Sequence, residues 1–374
     1  MRTLSGRIAL PDGSIVAGRI EFGAMISAIE ACATSSSDYI LPGFIDLQVN
    51  GSHGIDVMSA SAEEIIAIAQ ALAREGTTAW LPTAITSPIE HIERVHRAIT
   101  EAVEHQKHDA SAGARILGMH LEGPFISPFR LGAHPKLNLE PRGEAFERVT
   151  ALEHLKLMTL APELPGAPEA IRRLTARSVT VSIGHTNATF EEASAGVAAG
   201  ARMFTHLFNA MRPLNHRDPG VIAAALTNEL ATPAVIPDGV HVAPEILRLV
   251  YMTRGAERMI LTTDKVSLAA ATRDAVMKMG PSSARNVSGA ARLEDGTLAG
   301  ATISMLDGAR VMINKIGATV GDIALSAAGN PAALIMAVGR GRLQPGTVSD
   351  IMVLSEALEL KAVFLAGHEL NQIA

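Results

Sequence analysis

The sequence contains a single cysteine, Cys32, among its 374 residues. One cysteine cannot form an intrachain disulfide bond, and it excludes zinc sites that use two or more thiolates. Any bound metal ion must therefore be held by histidine, aspartate or glutamate side chains. Aromatic residues make up only 3% of the chain, so we expect a core built mainly from Ala, Ile, Leu, Val and Met.

The chain also lacks an excess of basic charge. Its formal net charge is -6 and its pI is about 6.1, and no cluster of lysine and arginine is present, so we expect no nucleic-acid partner. No apolar run reaches the roughly 18 residues of a membrane span. The first eleven residues show neither the basic start nor the apolar stretch of a secretory signal. We therefore expect a cytoplasmic protein with no membrane partner.

The two ends of the chain both contain short strand-like runs bounded by turn residues. Residues 1–41 contain short apolar runs separated by turn signals such as Pro11-Asp12-Gly13, which predicts antiparallel strands. Residues 350–354 and 361–365 are also strand-like and are bounded by turn residues. We therefore predict one small β domain assembled from residues 1–41 and 339–374.

Residues 42–338 follow a different pattern, in which strand-like runs alternate with helical patterns. The predicted helices include 62–74, 89–104 and 190–199. Such alternation is typical of βα units and a parallel sheet, and eight units fit a (β/α)₈ barrel, whose usual size is about 250 residues. A doubly wound open sheet is the alternative, although the sequence shows no Gly-x-Gly-x-x-Gly fingerprint. The predicted strands are 40–49, 77–82, 116–122, 155–160, 179–185, 203–207, 234–237 and 259–263.

Side chains that can bind a metal lie at the ends of several predicted strands. Glu122 ends the third strand, His185 ends the fifth, His206 belongs to the sixth and Asp264 follows the eighth. In a (β/α)₈ barrel these ends meet at one face, where active sites are found. Two histidines with one carboxylate leave a coordination position open for water, as a catalytic zinc site requires. We therefore predict a metal held by Glu122, His185 and His206, with Asp264 as general base.

Several of the polar residues near the strand ends also have a structural interpretation. Glu122 can form a salt bridge, and Asp264 can cap a helix. His120, two residues before Glu122 on the same face of the strand, fits a packed histidine as well as a ligand. His53, in the glycine-rich turn after the first strand, is left open.

A series of motifs, in the same order, spans nearly the whole chain. The most specific are His-Leu-Glu-Gly-Pro-Phe at 120–125 and Thr-His-Leu-Phe-Asn-Ala-Met at 205–211. Others lie at 42–46, 184–189, 218–220, 238–241, 263–264, 298–300 and 341–350. Together they resemble the N-acetylglucosamine-6-phosphate deacetylases, a branch of the amidohydrolase superfamily. The resemblance implies an α/β fold, with a TIM-like barrel over 42–338, a small β-sandwich domain built from both termini, and a homodimer.

The resemblance also implies a reaction, namely hydrolysis of N-acetyl-D-glucosamine 6-phosphate to D-glucosamine 6-phosphate and acetate, in amino-sugar catabolism or cell-wall recycling. Asp264 matches the aspartate that moves protons, and His134 matches the histidine that polarises the amide carbonyl. Many amidohydrolases bind a second metal through His-x-His after the first strand, where Gln48 and Asn50 stand here. Neutral amides are poor zinc ligands, so we expect one divalent ion per subunit, zinc first and Fe²⁺ or another divalent ion as the alternative.

Substrate contacts are implied by the same resemblance. Arg217 resembles an arginine that binds the phosphate in the active site of the neighbouring subunit. The other implied contacts are Ala133, His134, Asn209, Ala210, His241 and Met305. Lys265 departs from the family pattern, because a small residue usually follows the catalytic aspartate. Its ammonium can lower the pKa of Asp264 or alter substrate preference, although neighbours on an extended strand face opposite ways.

Alternative functions remain at this stage. The chain can deacetylate another N-acetylhexosamine phosphate, such as N-acetylgalactosamine 6-phosphate, or act on an amide without phosphate. It can also be a non-catalytic sugar-phosphate-binding protein on the same fold.

Overall fold

The computed structural model describes residues 1–109, 112–271, 275–279, 282–287 and 289–370. Eight parallel strands follow one another in chain order, each hydrogen-bonded to the next. They are β1 (Phe44–Val49), β2 (Thr77–Ile85), β3 (Met119–Glu122), β4 (Leu155–Leu160), β5 (Thr180–Ile183), β6 (Met203–Phe204), β7 (Thr232–Val235) and β8 (Ile260–Leu261). A short strand, Arg115–Ile116, also pairs with β2.

The first and last strands meet and nearly close the barrel. Val49 and Lys265 form a parallel bridge, and the Asn50 N–H donates to the Lys265 carbonyl at 2.7 Å. Just before this bridge, the buried Asp46 carboxylate accepts a hydrogen bond of 2.8 Å from the Thr262 hydroxyl. The predicted (β/α)₈ barrel is therefore confirmed, and the open doubly wound sheet is not formed.

Helices lie between the strands on the outside of the barrel. The first of them begins with a capping box formed by Ser61 and Glu64, and its apolar face is buried. The structure has helices with the predicted bounds at 62–74 and 190–199, and the helix predicted at 89–104 extends to residue 108. The helices are α1 (Ala62–Arg74), α2 (Ile89–His108), α3 (Gly143–Thr150), α4 (Ala167–Ala176), α5 (Phe190–Ala199), α6 (Gly220–Thr227), α7 (Pro244–Arg254), α8 (Met305–Val311), α9 (Val320–Ala324) and α10 (Asn330–Leu334), with a 3₁₀ turn at Ala256–Arg258 and π-helical turns at Met312–Ile316 and Leu325–Gly329.

The two ends of the chain form one seven-stranded sheet. Its strands, in spatial order, are His368–Glu369, Leu360–Leu365, Ile351–Leu354, Tyr39–Pro42, Arg2–Ala9, Ile15–Phe22 and Ile26–Ala31. The strand from residue 39 pairs with the strand from residue 351, which joins the two termini. Ile8, Phe22 and Phe364 belong to a separate apolar core under this sheet. The exact boundaries at 41/42 and 338/339 stay a prediction.

The two ends of the barrel are covered differently. Ala332 and Ile335 pack against barrel-strand residues such as Leu47 and Leu157. A four-stranded antiparallel sheet inserted after β8 packs against Val266 and Ala133, which lie beyond the carboxyl ends of the strands. Its strands are Val276–Met279, Ser282–Val287, Ala290–Leu293 and Leu298–Ala301, and a two-stranded hairpin, Gly51–Ser52 with Ile55–Asp56, follows β1. Within the described part of the chain, no helix has the length and apolar character needed to cross a membrane.

Candidate active site

The predicted site residues meet at the carboxyl ends of the barrel strands. Glu122 is the last residue of β3, whereas His185, His206 and Asp264 lie two or three residues beyond β5, β6 and β8. These three residues adopt positive φ angles of 46°, 27° and 52°. Non-glycine residues rarely take this conformation, and such strain is concentrated at functional sites.

Glu122, His185 and His206 converge on one point. The Glu122 Oε1 atom lies 2.8 Å from His206 Nε2 and 3.1 Å from His185 Nε2, and the two Nε2 atoms are 3.2 Å apart. All three side chains are buried. His185 Nδ1 lies 3.0 Å from the Arg130 carbonyl, to which it donates, so the Nε2 lone pair is free to bind a metal. Two imidazole nitrogens and one carboxylate oxygen so arranged fit a divalent cation.

The electrostatics of this cluster favour an anionic Glu122 and a neutral His185. Burial opposes ionisation of Glu122, but its contacts with His134, His185 and His206 hold its pKa well below the ordinary value. Burial lowers the pKa of His185 to about 4. Burial also opposes protonation of His206, but the hydrogen bond with Glu122 and its charge outweigh burial and raise the pKa of His206. Only a deprotonated carboxylate and neutral imidazoles have lone pairs to donate, so a cation that binds here would displace any proton on His206.

Asp264 is buried beside the cluster and is held by two amides. Its Oδ1 atom accepts hydrogen bonds from Asn50 Nδ2 at 2.7 Å and from Gln48 Nε2 at 3.1 Å. Burial, and then the charge of Glu122, raise the pKa of Asp264 to about 8, while the Asn50 N–H opposes this rise. A cation at Glu122 would favour the ionised form. Gln48 and Asn50 therefore contact the aspartate at the place where His-x-His would hold a second metal. Among the described residues, Glu122, His185 and His206 are the one cluster of three metal-binding side chains.

Lys265 faces away from Asp264, as predicted, although the φ of 52° at Asp264 is not that of an extended strand. Its ammonium forms an ion pair with Glu75, at the end of α1, and its side chain is only 2% exposed. The lysine therefore connects the end of β8 to the first helix. Its charge is directed to Glu75 and not to the catalytic side of the strand.

His134 reaches the cluster from the loop that follows β3. Its Nδ1 atom lies 2.9 Å from the Thr86 hydroxyl, and its Nε2 atom lies 3.5 Å from Glu122 Oε2. Its ring centroid is 4.4 Å from that of His185. The imidazole is thus next to the proposed metal position, where a substrate carbonyl would approach.

A cavity of about 300 Å³ opens above these groups, large enough for a small ligand. It is lined by five of the seven predicted substrate contacts, namely Ala133, His134, Asn209, Ala210 and His241. His241 Nδ1 lies 2.6 Å from Asp238 Oδ2, and His241 Nε2 has no partner among the described residues. Its ring is therefore oriented with one nitrogen available to a ligand.

The other two predicted contacts lie elsewhere in this single chain. Arg217 is exposed on the loop before α6, and its N–H donates to Asn215 Oδ1 at 3.0 Å. Met305 is buried in the main core at the start of α8. Neither lines the cavity, and their roles stay predictions.

Several residues that line the cavity were not predicted from the sequence. They are Asn50, Ile85, Gly132, Phe208, Val266 and the segment 297–300. The segment 297–300 could have been predicted, because Leu298-Ala299-Gly300 is one of the motifs that resemble the deacetylase family. Gly300 has a φ of 105°, and a Cβ there would lie 2.7 Å from the Asp264 carbonyl. The motif therefore needs glycine where the inserted sheet passes Asp264.

The fold and the site have a match among known families. A family model described as "Amidohydrolase family" matches residues 39–370. The chain belongs to the amidohydrolase family. These enzymes are metal-dependent hydrolases, in agreement with the buried Glu/His/His cluster of this amidohydrolase.

Curated relatives match this amidohydrolase almost end to end. The N-acetylglucosamine-6-phosphate deacetylase of Bacillus subtilis is 35% identical over 370 residues, which cover 97% of this chain and 92% of the relative. The N-acetylgalactosamine-6-phosphate deacetylase of Escherichia coli O157:H7 is 32% identical and covers 92% of both chains.

Solved structures of such enzymes share the fold. The N-acetylglucosamine-6-phosphate deacetylase of Thermotoga maritima superposes with a TM-score of 0.92 at 28% identity, over 98% of this chain and 99% of its own. A variant of the N-acetyl-D-glucosamine-6-phosphate deacetylase of Mycobacterium smegmatis, in complex with N-acetyl-D-glucosamine-6-phosphate, has a TM-score of 0.89 at 30% identity, over 98% of both chains.

Proposed function

We propose that this amidohydrolase deacetylates N-acetyl-D-glucosamine 6-phosphate, releasing D-glucosamine 6-phosphate and acetate. The observation that carries the proposal is the convergence of Glu122, His185, His206 and Asp264 on one cavity. Curated deacetylases match the chain over most of its length, which supports the substrate class. Such a reaction serves amino-sugar catabolism or cell-wall recycling.

We assign Glu122, His185 and His206 as the ligands of one divalent ion, with zinc first and Fe²⁺ as the alternative. The His₂Glu donor set supports this assignment, because it is typical of catalytic zinc sites with an open position. Bound by these three residues, the ion would supply Lewis-acid chemistry: it would lower the pKa of a water molecule to about 7 and polarise the substrate carbonyl.

Asp264 is the proton carrier in the proposed reaction. Held by Gln48 and Asn50, it accepts a proton from the attacking water as the water oxygen bonds to the acetyl carbon. It then gives this proton to the sugar nitrogen as the C–N bond breaks, so that the amine and acetate leave. His134 donates its Nε2–H to the acetyl oxygen and stabilises the negative charge that develops there.

The remaining cavity residues bind the sugar and its phosphate. We assign Ala133, Asn209, Ala210 and His241 to these contacts, and retain Met305 as a predicted contact. The unpartnered Nε2 of His241 supports a role in phosphate binding.

We further propose a homodimer in which Arg217 completes the active site of the partner subunit. Leu214, on the same loop, and Phe129, on the loop after β3, are 46% and 79% exposed. Both loops contact Asn187, through Arg212 and Arg130. Exposed apolar side chains on neighbouring loops support a subunit contact there. We place the protein in the cytoplasm, where a phosphorylated sugar substrate and the exposed, unpaired Cys32 are both expected.

The test is acetate release from N-acetylglucosamine and N-acetylgalactosamine, each with and without 6-phosphate, alongside metal analysis of the purified protein. We expect the highest kcat/KM for N-acetylglucosamine 6-phosphate and about one metal ion per chain. Equal rates with and without phosphate would contradict the proposed substrate class. A preference for N-acetylgalactosamine 6-phosphate would favour the second candidate, which the Escherichia coli relative supports. Metal-bound protein that releases no acetate from any of the four would favour a binding protein.

A further inference from the structure

Thr86, directly after β2, makes a contact with the active site that the proposed reaction does not yet use. The residue is 1% exposed, and its hydroxyl lies 2.9 Å from His134 Nδ1. Among the described residues this is the one hydrogen bond of the Thr86 side chain. Thr86 does not line the cavity, and His134 is the cavity residue to which its hydroxyl is hydrogen-bonded.

The surroundings of His134 decide which atom donates in this hydrogen bond. The other ring nitrogen, Nε2, faces the Glu122 carboxylate at 3.5 Å. The Arg130 carbonyl fixes the Nδ1–H tautomer of His185, but the partner of His134 Nδ1 is a hydroxyl, which can donate or accept. The Glu122 anion therefore decides the tautomer of His134, and it favours a hydrogen on Nε2. A neutral imidazole has only one N–H, and Nδ1 is then an acceptor. The Thr86 hydroxyl must therefore be the donor.

We propose that Thr86 is a positioning residue that holds His134 in its Nε2–H tautomer and in one ring orientation. In the deacetylation proposed above, this is the tautomer that can donate to the acetyl oxygen of the substrate. Only the catalytic consequence of this inference rests on the proposed function. The tautomer itself follows from the contacts of the ring.

The loop after β3 leaves space for this hydroxyl. Gly123 has a φ of 89°, and a Cβ at that position would lie 2.2 Å from Thr86 Oγ1. Any larger residue at 123 would therefore displace the Thr86 side chain. The glycine in the 120–125 motif thus permits the Thr86–His134 contact.

The test compares Thr86→Val, which keeps the shape and removes the hydroxyl, with Thr86→Ser, which keeps the hydroxyl. We expect Thr86→Val to lower kcat about tenfold with little change in KM, and Thr86→Ser to retain most of kcat. Thr180→Val is the matched control, because Thr180 is another buried barrel threonine, at the start of β5, and donates at 3.2 Å to the Leu334 carbonyl, away from the cavity. This control should keep the wild-type kcat.

The second readout does not depend on turnover. Nitrogen-15 NMR of the histidine rings in metal-free protein, with His134 identified by its loss in His134→Gln, should show a protonated Nε2 and a bare Nδ1. A protonated Nδ1 in the wild type would overturn the inference. So would a wild-type kcat in Thr86→Val, or equal losses in Thr86→Val and Thr86→Ser. If the wild type releases no acetate, the proposed function fails, and the NMR result still decides the tautomer.

Discussion

Asp264 combines three features that individually destabilise a protein. It has a positive φ angle of 52°, it is buried, and it lies close to the Glu122 carboxylate. Amide donors from Gln48 and Asn50 offset part of this cost without supplying charge. A carboxylate held in this way stays available for proton transfer, which a direct salt bridge would hinder.

The first prediction concerns Asp264→Asn, which removes the proton carrier and keeps the ligands. We expect kcat to fall by about 10²- to 10⁴-fold while metal content stays near that of the wild type. Rate measurements and elemental analysis of the same sample provide the check. Asp12→Asn, on an exposed turn that does not line the cavity, is the control. Near wild-type turnover in Asp264→Asn would exclude the proposed proton transfer.

The same variant should stabilise the metal-free protein. Because the folded pKa of Asp264 is about 8 against an ordinary value of 3.8, its contribution to stability is complete below pH 3.8 and is lost as pH rises through 8. The neutral amide introduced by Asp264→Asn would carry no such penalty. Urea unfolding of the metal-free variant at pH 8 should show a higher free energy of unfolding, by a few kcal/mol (order of magnitude). A variant less stable than the wild type at pH 8 would count against a strained, buried carboxyl.

A third prediction concerns Asn50→Leu, which removes an N–H donor from Asp264. That donor lowers the pKa of Asp264, so its loss should raise this pKa. The base must be ionised to act, and activity therefore falls as pH drops through its pKa. The acid limb of the pH profile of kcat/KM should move to higher pH in Asn50→Leu. An unchanged acid limb would show that Asn50 does not tune the base.

At the scale of elements, the barrel depends on the contact between its last and first strands. β8 is only two residues long, so the segment beyond it depends on two contacts of Lys265. The Lys265 carbonyl accepts a hydrogen bond from the Asn50 N–H, and the Lys265 ammonium pairs with Glu75. The lysine stem is buried along its whole length, whereas Glu75 is 24% exposed on its side chain. The pair ties the segment carrying Asp264 to the end of α1.

The fourth prediction follows from this asymmetry in exposure. Glu75→Gln leaves a buried ammonium without its partner and should lower the free energy of unfolding by about 3 kcal/mol. Lys265→Met should cost less, because Glu75 reaches solvent, and the double variant should recover most of the loss. Urea unfolding of the three variants measures this coupling. Additive losses in the double variant would mean that the two residues act independently. The kcat of Lys265→Met should stay close to the wild type, since the ammonium does not contact Asp264.

At the scale of the whole molecule, the cavity of one chain is lined by the proposed metal ligands, the proposed base and His241, but not by Arg217. The proposed dimer would add this cation from the partner subunit. Binding and chemistry would then require two chains, and a dissociated subunit would bind phosphorylated substrate weakly.

The fifth prediction tests this arrangement by mixing two impaired variants, Arg217→Ala and Asp264→Asn. In a mixed dimer, the subunit with an intact Asp264 receives an intact Arg217 from its partner. Random mixing should therefore restore about a quarter of the wild-type activity on the phosphorylated sugar. No recovery after subunit exchange would show that Arg217 acts within its own chain or not at all. Unmixed samples of each variant are the controls.

The sequence by itself determined the barrel, because alternating strand and helix patterns leave few topologies that bury both faces of a parallel sheet. It also determined the candidate site residues, because Glu122, His185, His206 and Asp264 each lie at or just beyond the end of a strand. The ends of parallel strands converge at one face, so positions along the chain were sufficient here.

Only the tertiary structure decided how the side chains pair. Thr86 and His134 are 48 residues apart, Asn50 and Asp264 are 214 apart, and Glu75 and Lys265 are 190 apart. These contacts depend on the stagger between strands and on the path of the loop after β3, which no local pattern encodes. The packing around a side chain sets its partner. For this reason the partners of Lys265 and Thr86, namely Glu75 and His134, were found only in the folded chain.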